Sequence, residues 1–207
     1  MSILDFSADV GLVAVVAVTL NICLGLLMAT RYSPVRRWPH RRLDIFRFHR
    51  YTAYTGPALI LLHPIVLLFL REPRFRVLDI ALPLWSPSQP IENTIGAAAL
   101  YLIVLAVVTS LARVTIGRRI WKRLHYLNYV AAVALFIHGI FTDSQLKNRP
   151  MDWLDGEKVL IEACFLAVTV FSLLRLRFGI KKERRERALH VGRYAPHLLR
   201  ENSQVAD

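Results

Sequence analysis

The chain is poor in cysteine, in acid and in patterned glycine, and each shortage excludes something. Only two cysteines occur, Cys23 and Cys164, and both lie inside apolar runs. A disulfide framework therefore has nothing to build on. Fifteen acidic residues stand against 27 Lys and Arg, leaving a formal charge of +12. The nine glycines never form a Gly-x-Gly-x-x-Gly fingerprint, and no strand pattern offers a place for one, so a nucleotide-binding fold of that kind is not expected. Low-complexity segments and usable internal repeats are also missing.

What is abundant is hydrocarbon. The sequence is 55% hydrophobic, and its apolar and basic residues are segregated into blocks in a way a soluble domain would not need. Five apolar segments stand out, at 10–30, 51–70, 93–112, 124–142 and 159–174. Four approach the ~20 residues that cross a ~30 Å hydrocarbon core. The fifth extends to Phe178 if Arg175 and Arg177 snorkel. Runs of this length satisfy their backbones in lipid as helices. The first segment lacks a basic leader and a convincing cleavage site, so it is taken as a span and not as a signal peptide. The expected fold is an all-α integral membrane bundle of five transmembrane helices, with residues 1–178 as the membrane domain and 179–207 as a basic tail.

Charge sets the expected orientation. Loop 31–50 holds seven arginines, segment 113–123 five basic residues, and the chain from Arg175 onward nine. The alternating segments 71–92 and 141–157 hold three and two, so basic residues divide 21 to 5. The positive-inside rule then places the N-terminus outside and the C-terminus in the cytoplasm, in a plasma (inner) membrane. The basic excess is a signal of topology, and no nucleic-acid partner is expected.

Four of the seven histidines fall in or at the rims of two spans: His49 and His63 in the second, His125 and His138 in the fourth. Ionisable residues inside a membrane are costly and mark function. Both spans start on the same side, and at ~1.5 Å per residue His63 lies ~21 Å deeper than His49, and His138 ~19.5 Å deeper than His125. The histidines therefore pair at two depths, His49 with His125 and His63 with His138. Facing neutral imidazoles suit a metal. Zinc would require further Cys, Asp or Glu ligands, and neither span supplies one at these depths. Two axial imidazoles alone describe haem, and without a Cys-x-x-Cys-His motif it would be non-covalent haem b, two per chain. One feature strains the scheme. Fourteen residues put His49 and His63 within ~40° of one helix face, whereas thirteen leave His125 and His138 ~140° apart, so the fourth span must be irregular. His40, His190 and His197 lie in basic segments and are read as solvated surface.

The phrases FHRYTAYTGPALILLH and WKRLHYLNYVAAVALFIHG, with the arginine-rich lead RRWPHRRLDIFRFH, resemble the ferric-reductase-like transmembrane domain of NADPH oxidases and ferric reductases. The resemblance spans residues 10–178 and includes both His-x13-His and His-x12-His spacings. It implies two b haems on His49/His125 and His63/His138. Those relatives have a further helix before the first span found here and continue into a cytosolic FAD- and NADPH-binding module. Here 29 residues follow Phe178. The chain looks more like the stand-alone membrane haem subunits, with electrons supplied by a separate cytoplasmic flavin reductase carrying FMN or FAD and delivered to a ferric chelate, dioxygen or a periplasmic enzyme.

Around the haems, anionic propionates call for basic residues. Arg47, Arg50, Arg113 and Arg123 are the candidates at the cytoplasmic rim, and Arg71 and Arg74 at the outer one. Gly56-Pro57 and Pro64 are expected to interrupt the second helix, with room beside them for a flat macrocycle. Glu162, the one acid within an apolar segment, is read as snorkelling to the outer interface. Segment 72–93 is expected to cover the outer haem, with Trp85 at the interface. The tail reads as a basic amphipathic helix broken at Pro196, held at anionic lipid or offered to an acidic electron donor. The alternatives are a quinol-coupled membrane cytochrome b and a haem-free membrane scaffold or transporter with buried histidines.

Overall fold

The computed structural model describes residues 2–30, 44–147 and 152–204, with side chains beyond 187 outside the description. His40 and most of the arginine-rich loop lie outside the described residues, as do the side chains of His190 and His197.

Helix α1 (Ile3–Thr30) begins where Ser2 and Asp5 cap each other reciprocally, each backbone N–H donating to the other side chain at 2.8 and 3.0 Å. Helix α2 (Ile45–Leu67) starts at Asp44, whose carboxylate accepts from the N–H groups of Phe46 and Arg47. Then come α3 (Val77–Ala81), a 3-10 turn (Pro83–Trp85), α4 (Pro90–Leu111), α5 (Arg113–Ile116), α6 (Arg118–His125), α7 (Leu127–Phe141) and α8 (Gly156–Gln204). All these elements are helical.

Among the described residues, four helices are long and apolar enough to cross a membrane: Ile3–Thr30, Pro90–Leu111, Arg118–Phe141 and Gly156–Arg185. The chain is a multi-pass membrane protein. Large apolar side chains such as Leu20, Val108, Val130 and Leu166 lie exposed on the outer faces of these helices, where lipid would cover them. Helix α2 is 23 residues long but is not one of the four. Its threonines, histidines and prolines dilute its hydrophobicity.

Two expectations are corrected here. Neither Pro57 nor Pro64 interrupts α2, which runs unbroken to Leu67. Gly56 makes room for a neighbouring helix and not for a cofactor, since a Cβ there would meet Val18 Cγ2 at 3.1 Å. Nor does Pro196 break the tail, because α8 continues past it to Gln204. In both helices each proline costs one backbone bond, which bends a helix more readily than it ends one.

Side-chain contacts fix the arrangement. Ser7 meets His63 and Asn21 meets His49, so α1 and α2 are antiparallel. His138 meets Glu92, and Trp121 meets Ser110, so α4 is antiparallel to α6–α7. Lys158 meets Gly139, and Arg175 meets Tyr129, so α8 is antiparallel to α7. Helices α2 and α7 therefore run parallel. One end of the bundle holds Ser2, His63 and His138. The other holds Thr30, His49, His125 and the basic start of the tail, and is called the basic end below. Between them lies a core rich in small residues, including Ala14, Ala99, Ala131 and Ala132, which let the helices approach closely.

Candidate functional site

The best-defined site lies at the N-terminal end. The rings of His63 and His138 face each other with centroids 6.2 Å apart and planes at 71°. They line a largely apolar cavity whose walls come from α1, α2, α4, α7 and the start of α8. Segment 71–89 closes part of it through Phe75, Asp79, Ile80 and Pro83, while Trp85 stays 77% exposed at the rim. A bidentate pair of hydrogen bonds between the Gln89 amide and the Asp143 backbone joins this segment to the α7–α8 connection.

Each of these two histidines is held by the same device. His63 Nδ1 lies 2.7 Å from the Ser7 carbonyl, and His138 Nδ1 lies 2.8 Å from the Glu92 carbonyl. A carbonyl can only accept, so Nδ1 is the donor and Nε2 keeps its lone pair. A helical carbonyl points along the axis toward the residue four positions later, and a side chain there would block a ring. In both cases that residue is glycine. A Cβ on Gly11 would sit 3.0 Å from the His63 ring, and one on Gly96 would sit 2.9 Å from the His138 ring.

At the basic end the device appears once more. His49 Nδ1 lies 3.0 Å from the Asn21 carbonyl, and a Cβ on Gly25 would stand 3.3 Å from the His49 ring. Asn21 also ties the helices together, donating to the His49 carbonyl at 2.7 Å and to Thr52 Oγ1 at 2.8 Å. His125 lies within electrostatic reach of His49. Its own Nδ1 has no carbonyl partner, only the Asn128 amide at 3.4 Å, and its ring stacks on Trp121 at 5.2 Å. The irregularity that the thirteen-residue spacing demands falls at Tyr126, a turn between α6 and α7.

The candidate arginines lie outside the cavity lining. Arg71 and Arg74 are exposed and do not line the cavity. Arg50, Arg113 and Arg123 are exposed at the basic end, and Arg47 lies across Tyr51, its Nε donating to the hydroxyl at 3.3 Å. Glu162 is half-buried and outside the cavity lining. Two cations that the sequence reading left out of the site sit closer. Lys158, 9% exposed, lines the cavity and donates to the carbonyls of Gly139 at 2.9 Å and Thr142 at 2.6 Å, capping α7. Arg175 donates to Tyr129 OH at 3.0 Å beside His125. Replacing Lys158 by Met removes the donor from the Gly139 and Thr142 carbonyls, which costs ~1–3 kcal/mol. Thermal unfolding in detergent should register a lower Tm, and an unchanged Tm would show that water replaces the ammonium.

Among the described residues, no group of three or more His, Cys, Asp or Glu could hold a metal ion. A metal between His63 and His138 would thus need its remaining positions filled by something other than such side chains. The fold and this arrangement define a class: a multi-pass, all-helical membrane protein with histidines facing one another inside the bundle. A family model described as the ferric reductase like transmembrane component matches residues 10–136, more than half of the chain, and the chain belongs to this family. The match takes in His49, His63 and His125 and stops two residues before His138. No curated protein and no solved structure matches significantly.

Proposed function

We propose that the chain is the haem-bearing conduit of a membrane oxidoreductase, passing electrons from a cytoplasmic donor to an acceptor on the opposite face. Membership of a ferric-reductase-like transmembrane family supports electron transfer across the membrane. The observation that carries the haem reading is the facing of His63 and His138, each with Nδ1 committed to a carbonyl and each seated on a glycine.

The separation fits. A metal-bound imidazole nitrogen stands ~2 Å from its metal, so a metal held by both rings would need them several ångströms apart. The rings are 6.2 Å apart. Bound haem b would supply one-electron chemistry at its iron. The chain's own work is then positional. His63 and His138 would hold the outer group, and His49 and His125 the inner one. The carbonyls of Ser7, Glu92 and Asn21 fix the tautomer and raise ligand basicity. The apolar wall keeps water away. Propionates at the inner group fall to Arg175 and the arginines of the basic end, Arg47, Arg50 and Arg123 among them.

In this reading α2 is a fifth span, carried through lipid because its polar histidines face the bundle. The N-terminus lies outside and the basic end in the cytoplasm, as the 21-to-5 division of basic residues favours. The donor is a separate flavin reductase or other reduced flavoprotein, and the acceptor a ferric chelate, dioxygen or a periplasmic redox enzyme.

A pyridine haemochromogen assay on purified protein should return two haems per chain, and each single His→Ala change at 49, 63, 125 or 138 should remove one. A colourless protein refutes the reading. Haem retained in all four variants refutes the ligand assignment.

A further inference from the structure

The carbonyl-and-glycine seat repeats along the two supporting helices with a fixed period. On α1, Ser7 and Asn21 are fourteen residues apart, as are Gly11 and Gly25, matching the fourteen residues between His49 and His63. On α4 the same step leads from Glu92 to Ala106 and from Gly96 to Ser110. The fourth seat, the one His125 would use, therefore has a serine where the other three have glycine.

That serine changes the local chemistry. The Ser110 hydroxyl donates to the Ala106 carbonyl at 2.7 Å, taking the acceptor an imidazole would otherwise have used. Ser110 Oγ in turn accepts from Trp121 Nε1–H at 3.2 Å. The indole so fixed stacks on His125, with centroids 5.2 Å apart and planes 29° from parallel. A chain of two hydrogen bonds thus runs from indole to hydroxyl to carbonyl, and the imidazole rests on its end.

We propose that Trp121 is the positioning residue of His125, an indole plane pinned through Ser110 that substitutes for the missing fourth carbonyl seat. The proposal rests on the di-haem reading. It fits the one-residue shorter spacing of the α6–α7 histidines. The turn at Tyr126 re-aims His125, and a ring displaced from the fourteen-residue register is held by a stacking face, which tolerates sliding, better than by a directional carbonyl bond. Trp121 lies one turn before His125 on α6, near enough to act within the helix. The inner group then has one imidazole bound to a carbonyl and one without, whereas the outer group has two.

The test uses the full chain in detergent, with haem count and low-spin EPR as readouts. Wild type should give two haems and two low-spin signals, and wild type without haem would overturn the di-haem reading itself. Trp121→Leu removes the stacking plane and should cut the inner haem at least twofold, leaving the outer signal in place. Trp121→Phe keeps a ring but loses the pin, as Ser110→Ala does from the other side. Both should keep two haems while shifting or broadening the inner signal alone. If Trp121→Leu loses both haems through misfolding, these milder variants decide. With wild type carrying two haems, an inner signal unchanged in Trp121→Phe and in Ser110→Ala overturns the proposal, and so does full retention of both haems in Trp121→Leu.

Discussion

Gly96→Ala should empty the outer site while leaving the inner one filled. A Cβ at Gly96 would stand 2.9 Å from two atoms of the His138 ring and 3.0 Å from a third, closer than real Cβ atoms come to anything. The ring cannot yield in place, because its Nδ1 is bound to the Glu92 carbonyl and lies 3.2 Å from the Thr142 hydroxyl. Relief requires either α4 or the ring to move by several tenths of an ångström, and overpacking of this kind costs ~1–3 kcal/mol. Loss of an outer hydrogen bond to a metal-binding histidine weakens metal affinity by ~10–100-fold. Haem content should fall from two per chain to about one. The other seats rank by the same distances. Gly11→Ala brings a Cβ to 3.0 Å of the His63 ring and should weaken the outer site further than Gly25→Ala, at 3.3 Å, weakens the inner one. Two haems retained in Gly96→Ala, with an unchanged spectrum, would mean that the ring does not occupy this seat in the loaded protein.

This ranking marks the boundary between what could be read in the sequence and what could not. Four of the five apolar segments and the close approach of His63 and His138 were legible, because apolar runs and matched histidine spacings are signals along single stretches of chain. The face-to-face approach of His63 and His138 follows from equal depth in parallel helices. The glycine seats were in principle visible too, since Gly11 and Gly25 repeat the fourteen-residue interval of His49 and His63, but glycine is common in membrane helices and the interval means nothing until α1 is known to pack against α2. Lys158 and Arg175 were hidden for another reason. Both stand at the ends of a long apolar run, where snorkelling accounts for a cation as well as any site does. Arg71 and Arg74 were assigned to the outer rim from sequence order alone, just after α2, and segment 71–76 turns its arginines to the surface and puts Phe75 inward. Gly56 was credited to a cofactor when it serves Val18, because a glycine's open side cannot be identified from one strand of sequence.

His49→Ala and His63→Ala should each abolish transfer across the membrane while sparing the opposite level. Fourteen helical residues put the two histidines ~21 Å apart along the axis, so neither level can stand in for the other. In vesicles of known orientation, the haem remaining in His49→Ala should be reduced by an impermeant reductant applied at the N-terminal face and not by one confined to the basic face. His63→Ala should behave in the opposite way, and wild type should respond from both sides. The basic face carries Arg113, Arg118, Arg119, Lys122 and Arg123, all exposed. An acidic flavoprotein donor should therefore be drawn to it, and the rate of reduction from that face should fall as ionic strength rises and the Debye length shrinks from ~10 Å at 0.1 M to ~3 Å at 1 M. Reduction from the opposite face by a small neutral reductant should be indifferent to salt. If His49→Ala instead loses its response at the N-terminal face, the pairing of His49 with His125 and of His63 with His138 is wrong. If both variants respond as stated at their own molecular faces but the basic face proves to lie outside, the pairing stands and the orientation falls.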